Sequence, residues 1–323
     1  MLETKFVEDK ILGLLPPMPF TIDEMVKRHL NERRRWKIKT LLNQDFMNSV
    51  LEYSPSVLFI IDSFSNLITA DSLIEIRRKI KIPIVAWVAD DPFPFYDSTK
   101  CLLHYDHIFA CETSCIPQIK LFTDRLVTYL PNGVDPDIFK PVELSEKEKR
   151  MYDCDINFVG TVNANSTGVG LFRAKVLEYL TDHKVKIWGN FDWQKLLAVF
   201  PALAGSLQGG ILPFGEANKA YNAARIIMNI HHPFLKTGTG PRVFEVAAAG
   251  GFQLADKKDV IEQHFELGKE MVCFESGEEL KELVKYYLNR PEERREIAGR
   301  ARQRVLREHT WEHRLAKILD NIK

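Results

Sequence analysis

The segment Thr237-Gly238-Thr239-Gly240-Pro241-Arg242-Val243-Phe244-Glu245 holds the residues whose types and spacing best suit chemistry. A glycine-rich loop hands free backbone N–H groups to a helix that Pro241 is fit to start, because proline lacks an N–H at a position where none would be paired. Such a helix end attracts anions. Arg242 and Glu245 stand three apart and so share one helix face. A fixed cation beside an anion hole suits a diphosphate. A carboxylate one turn further in only accepts hydrogen bonds and has lone pairs for two neighbouring ribose hydroxyls. Together Thr237, Gly238, Thr239, Gly240, Arg242 and Glu245 fit a nucleoside diphosphate. The alternative is a surface Arg/Glu pair on an ordinary loop–helix unit. The run Ala247-Ala248-Ala249-Gly250-Gly251 then lets the helix lie close to its sheet and exit left-handed.

Elements that could position this segment alternate along the chain. Strands are predicted at 57–61, 84–88, 107–110 and 127–130, with helices at 21–30, 36–52 and 70–80 among them. The region 14–20 is too proline-rich for a central strand, so the first domain reads as shortened at its start. Pro131-Asn132-Gly133 signals a turn, and the charged stretch 143–150 reads as a connection. Further strands follow at 156–159, 185–188, 226–230, 252–255 and 271–274. Helices are predicted at 171–179, 216–224, 278–288, 291–308 and 311–319. This alternation predicts an α/β chain of two doubly wound parallel-sheet domains. Their expected bounds are 1–142 and 151–308, with 309–323 a terminal helix returning to the first domain.

Ligands of open parallel sheets sit beyond the carboxyl ends of the strands, which singles out further residues. Gly160 and Thr161 follow one strand end and fit a phosphate loop, or an ordinary strand-to-loop turn. Arg173, early in the next helix, reads as a phosphate ligand or a solvated arginine. Trp188, Gly189 and Asn190 line a base or ribose pocket, or form a core tryptophan with its turn. Tyr221 stacks on a base or packs in the core. His231 precedes the glycine loop and suits a sugar contact; a two-histidine metal site with His232 is the rival, without a carboxylate nearby in sequence to complete it. Asp90 and Asp91 end a buried strand. They suit orientation or deprotonation of an acceptor hydroxyl, metal binding, or a helix cap and turn set by Asp and Pro92.

Composition narrows the function classes. Among 323 residues, 44 Lys and Arg balance 44 Asp and Glu, which removes any bulk electrostatic drive toward nucleic acid or anionic membrane. Five cysteines without framework spacing argue against a disulfide scaffold. Cys111 and Cys115 lack the second pair that a zinc site needs. No apolar run approaches the ~20 residues of a membrane span. The expectation is a cytoplasmic protein without nucleic-acid partner, membrane span or signal peptide, with peripheral association left open.

The pattern Arg-x-Phe-Glu-x-x-Ala-x-Gly from Arg242 to Gly250, followed by an apolar strand ending in Asp256, resembles the donor-site helix of GT-B glycosyltransferases. It is most similar to the spore-maturation-type (CgeB-like) branch related to glycosyltransferase family 4. Val159-Gly160-Thr161, the Tyr129-to-Pro136 and Phe139-Lys140-Pro141 segments, Trp87-Val88-Ala89-Asp90-Asp91-Pro92 and the ending His309-Thr310-Trp311-Glu312-His313-Arg314-Leu315 also resemble that family in order and spacing. The resemblance implies a GT-B fold with a cleft between its domains. It implies transfer of a sugar from a nucleotide-diphosphate sugar to an unknown saccharide, protein or small-molecule acceptor, with retention of configuration. In that reading Glu245 binds ribose, and Arg242 holds the diphosphate in place of a metal, so no metal and no tightly bound cofactor is expected. One departure stands out: family 4 enzymes commonly carry a second Glu eight positions before the ribose Glu, where this chain has Thr237. Two rivals remain. One is another enzyme of the same fold, a nucleotide-sugar epimerase or a pyridoxal-dependent phosphorylase. The other is a non-catalytic nucleotide-binding scaffold.

Overall fold

The computed structural model describes residues 11–14, 32–62, 68–89, 96–162, 169–232 and 235–321. The chain divides into two compact units, Met1–Pro131 with Ile318–Lys323, and Asn132–Lys317.

The first unit is built on a parallel five-stranded sheet in the sequential order β1 (Ile11–Leu14), β2 (Val57–Asp62), β3 (Ile84–Val88), β4 (His107–Ala110) and β5 (Leu126–Tyr129). β3 and β4 are buried at every position, as expected of strands inside a parallel sheet. Helices α1 (Glu32–Tyr53), α2 (Ala70–Lys79), α3 (Tyr96–Cys101) and α4 (Ile116–Ile119) alternate with the strands. Thr69 caps α2 by accepting from the Ser72 backbone, and Asn43 of α1 accepts from both Thr69 and Ser72. The apolar core joins Val50 and Leu73 to Leu58, Ile60, Ala86 and Ile108, which are alternate residues of successive strands. The expectation that the first strand is 57–61 is corrected here, since β1 precedes it at the sheet edge. The prolines that argued against a strand lie beyond Leu14 and do not enter it.

The second unit carries α5 (Glu146–Tyr152), β6 (Cys154–Val159), α6 (Val169–Glu178), β7 (Val185–Trp188), α7 (Asp192–Leu196), β8 (Leu207–Gly209), α8 (Phe214–Ala223) and β9 (Ala224–Asn229). They are followed by α9 (Arg242–Ala249), β10 (Gln253–Asp256), α10 (Ile261–His264), β11 (Val272–Phe274), α11 (Gly277–Leu288), α12 (Pro291–Glu308) and α13 (Trp311–Asn321), whose residues from Ile318 onward belong to the first unit. The strand order is β11-β10-β9-β6-β7-β8, all parallel. The chain moves outward from β6 to β8, then returns to lay β9 on the other side of β6. Residues of one strand divide between two apolar clusters: Ile156 and Phe158 face one, Val159 the other; Ile226 and Met228 face one, Ile227 the other. A sheet with a core on each face is the expected doubly wound arrangement.

The charged stretch 143–150 is not a bare connection. Ser145 and Glu148 form a reciprocal capping box that starts α5, and Tyr152 at its end hydrogen-bonds Glu216 and packs against Trp188.

Candidate functional site

The order reversal in the second unit falls between β6 and β9, so the carboxyl ends of these two strands form the switch point where open α/β sheets bind ligands. The sequential first sheet shows no such reversal among the described residues. Asp90 and Asp91, the acidic pair expected to serve an acceptor, lie outside the described residues.

Arg173 occupies the switch point. Its Nε donates to the Ile230 carbonyl at 3.1 Å and its Nη1 to the Thr161 carbonyl at 2.6 Å, tying the β9 and β6 ends together. It is buried, and burial with the nearby Arg242 charge pulls its pKa down to about 10, while Asp256 opposes that shift. The solvated-helix alternative therefore does not hold, and the guanidinium is a fixed positive charge between two strand ends.

The glycines beside it have packing reasons. A Cβ on Gly160 would sit 2.7 Å from the Phe158 ring. One on Gly189 would overlap the Gly160 carbonyl and the Trp193 indole, which donates to that carbonyl at 2.8 Å. Asn190 is committed to the loop after β6: it accepts from the Val162 N–H at 2.9 Å and donates to the Val162 carbonyl at 2.7 Å. Trp188 is buried against Tyr152, and its indole N–H has no partner among the described residues.

The helix α9 forms as expected, with one shift: Pro241 is its N-cap residue and Arg242 its first residue. Gly250 ends it at φ 76°, donating back to Ala247, and Gly251 lies so close to β9 that a Cβ would meet Ile227 at 2.9 Å. The face carrying Val243, Phe244, Val246 and Ala247 is buried, while Arg242 and Glu245 are half-buried on the other. Arg242 Nε donates to the Tyr221 hydroxyl at 3.1 Å. Tyr221 is fully buried, and burial raises its phenol pKa to about 12. It thus orients Arg242 and sits in the core, not on a base. Burial raises the Glu245 pKa, opposed by Arg242.

Three polar contacts that the sequence did not reveal hold the helix and its loop. Gln253 Nε2 donates to the Val243 carbonyl at 2.8 Å, and Asn229 Nδ2 donates to Gln253 Oε1 at 3.0 Å. Asn132 Nδ2 donates to the Thr239 carbonyl at 3.3 Å. Arg314 in turn donates from Nε to the Asn132 carbonyl at 3.0 Å, with its guanidinium 5.6 Å from the Phe244 ring centroid. The Pro-Asn-Gly turn was visible as a turn, but a partner 107 residues away leaves no local signal. In the loop, the Thr237 carbonyl accepts from Val260 N–H at 3.4 Å, Gly238 follows it and leads to Thr239, whose hydroxyl is buried without a partner among the described residues, and a Cβ on Gly240 would make only an ordinary 3.9 Å contact with Leu235.

His231 follows β9. Its backbone N–H and its Nδ1 both reach Asp256 Oδ1 at 2.7 Å, and its side chain is fully buried. Burial would raise the Asp256 pKa, but the His231 bonds outweigh it and hold the carboxyl below the usual range. His232 is driven down to about 4 by burial and the Arg173 charge, which disfavours a charged imidazole there. Among the described residues, no group of three or more His, Cys, Asp and Glu could hold a metal ion.

Beyond the ends of β6, β9 and β10 stand two arginines, a half-buried carboxylate on the first turn of α9 and a His–Asp pair, on the carboxyl edge of a doubly wound sheet. The fold is GT-B. A glycosyl transferase-like family model matches residues 171–320. The chain is similar to spore protein CgeB of Bacillus subtilis (strain 168), 24% identical over 249 residues that span 73% of this chain and 74% of that one. Sucrose-phosphate synthase from Thermosynechococcus elongatus superposes with a TM-score of 0.66 at 12% identity, covering 90% of this chain and 79% of the synthase. Anabaena HepE in complex with UDP-glucose superposes with a TM-score of 0.64 at 13% identity, covering 96% of this chain and 90% of HepE. Over residues 171–320 the chain is thus similar to glycosyl transferase-like proteins, and the solved structures share its fold. No helix among the described residues is long and apolar enough to cross a membrane.

Proposed function

We propose that the second unit binds a nucleotide-diphosphate sugar and that the protein transfers its sugar to an acceptor hydroxyl with retention of configuration and without a metal. The observation that carries this reading is the pairing of Arg242 with Tyr221 at the first turn of α9, one helical turn before Glu245. Arg242 and the α9 backbone N–H groups would take the diphosphate, Glu245 the ribose hydroxyls, and Arg173 would add positive potential behind Thr161. Preorganised charge at a developing anion is usually a large catalytic contribution, and here it would stabilise the departing nucleoside diphosphate in the role a divalent cation fills elsewhere. UDP is the favoured nucleotide because HepE binds UDP and UDP-glucose. Asp90 or Asp91 would orient or deprotonate the acceptor hydroxyl.

Incubation with UDP-glucose and chelator, followed by NMR of the anomeric proton and of released UDP, tests the reading. Release of UDP with an α-configured product, unchanged by chelator, is expected from this donor. Interconversion of the nucleotide sugar without release of UDP would show an epimerase instead. Binding without either reaction, even with the acceptor classes supplied, would show a scaffold that kept the pocket.

A further inference from the structure

The His231–Asp256 pair is more specific than a generic polar contact, and the identity of its proton follows from its partners. Asp256 is ionised under the bonds it accepts, and a carboxylate has no proton to give. Nδ1 of His231 must therefore be the donor in the 2.7 Å contact. A neutral imidazole with its proton on Nδ1 leaves Nε2 as a lone pair. That Nε2 is buried and has no partner among the described residues.

The pair also lies beside the glycine loop. Val260, four residues after Asp256, donates to the Thr237 carbonyl, and Ile230, directly before His231, is bonded by Arg173. In the same loop the Thr239 hydroxyl is likewise buried and unpartnered among the described residues.

We propose that Asp256 locks His231 as a hydrogen-bond acceptor and that Nε2 receives a hydroxyl proton of the donor's sugar. A phosphate oxygen cannot fill this place, because both atoms would be acceptors. A hydroxyl can, since it donates to the ring nitrogen and keeps lone pairs for another donor. The inference rests on the donor reading above and deepens it: the acidic sugar contact that the resemblance implies is Thr237 in this chain, and His231 would supply an uncharged hydrogen-bond acceptor for the sugar instead. His231 would touch substrate, and Asp256 would be the positioning residue that fixes its tautomer.

Two measurements test this. In protein labelled with 15N-histidine, long-range proton–nitrogen spectra should show His231 unprotonated at Nε2 at neutral pH, and Asp256→Asn should move the proton to Nε2 in part of the population. A protonated Nε2 in the wild type would overturn the proposal without any ligand. Calorimetric titration with UDP-glucose and with UDP then tests the contact. His231→Asn keeps a side-chain N–H for Asp256 and deletes only Nε2; it should weaken UDP-glucose about tenfold and UDP less than about twofold, the range of one net hydrogen bond. His231→Gln, which can place an amide oxygen where Nε2 was, should recover most of the loss. Equal weakening of both ligands would overturn the inference and leave the donor reading standing. Binding of neither ligand by the folded wild type would remove the uridine-donor reading and this inference with it. Melting temperatures of each variant separate a lost contact from a lost fold.

Discussion

Asn132 Nδ2 donates to the Thr239 carbonyl at 3.3 Å, so a turn at the start of the second unit holds the glycine loop that precedes α9. The same Asn132 accepts at its own carbonyl from Arg314. Asn132→Ala removes the only donor among the described residues shown at that carbonyl. It should cost ~1–3 kcal/mol of stability for a buried acceptor left unpaired. It should also weaken nucleotide binding through a looser loop. Urea unfolding and nucleotide titration of the same variant check both effects; unchanged stability would mean that water replaces the amide without loss.

Tyr221→Phe deletes the hydroxyl that accepts from Arg242 Nε. The ring stays in its core site, so the fold should lose only ~0.5–1.5 kcal/mol. Nucleoside diphosphate affinity should fall severalfold because Arg242 gains rotamers it must surrender on binding. If affinity is unchanged while Arg242→Ala abolishes it, Tyr221 is a core residue without a positioning role.

Two glycines in the second unit make a matched comparison. Gly189→Ala places a Cβ against the Gly160 carbonyl and Trp193, where neither backbone nor indole can yield cheaply, and should destabilise by ~1–3 kcal/mol. Gly205→Ala meets nothing within 4 Å and has no positive φ, so it should be neutral or stabilise by ~0.4–1 kcal/mol. Thermal melts of the two variants decide it.

Much of the fold could be read from the chain because parallel strands are buried on both faces and appear as short apolar runs. β3, β4 and β7 match their expected bounds without change. β8 escaped because it is three residues long, lies at the sheet edge and is mostly exposed. α5 escaped because charge was read as linker, although its Ser145/Glu148 spacing was a start signal. At the site, the Arg242–Glu245 spacing and the Gly250 exit were legible because both are local. What was not legible is long-range: Asn132 with Thr239, Gln253 with Val243, Arg173 with two strand-end carbonyls. A side chain's partner across the fold has no trace in its neighbours along the sequence.

Acid should unfold the second unit through its buried histidines. Burial, with the Arg314 charge, lowers His309 to about 3, and burial lowers His264 to about 4. His309 Nδ1 meets the Arg314 guanidinium at 2.7 Å. Both folded values lie below the unfolded value of ~6.5. The unfolded chain therefore binds more protons between the two, and stability is complete above pH ~6.5 and lost as pH falls toward 3. Each histidine should contribute a slope of up to ~1.4 kcal/mol per pH unit in that window. Urea midpoints from pH 7 to 4 should fall, and His309→Gln should flatten the decline. A flat midpoint over this range would show that these rings are not buried neutral.

The donor site itself is tested most directly by titrating UDP, GDP, ADP, TDP and their hexoses into wild type and Glu245→Ala, with magnesium and with chelator. The account predicts that one base binds with its sugar, that chelator changes nothing, and that Glu245→Ala weakens it about tenfold or more, the loss of a charged hydrogen-bond acceptor. No binding of any nucleotide by the folded wild type, or binding that Glu245→Ala leaves intact, would contradict it.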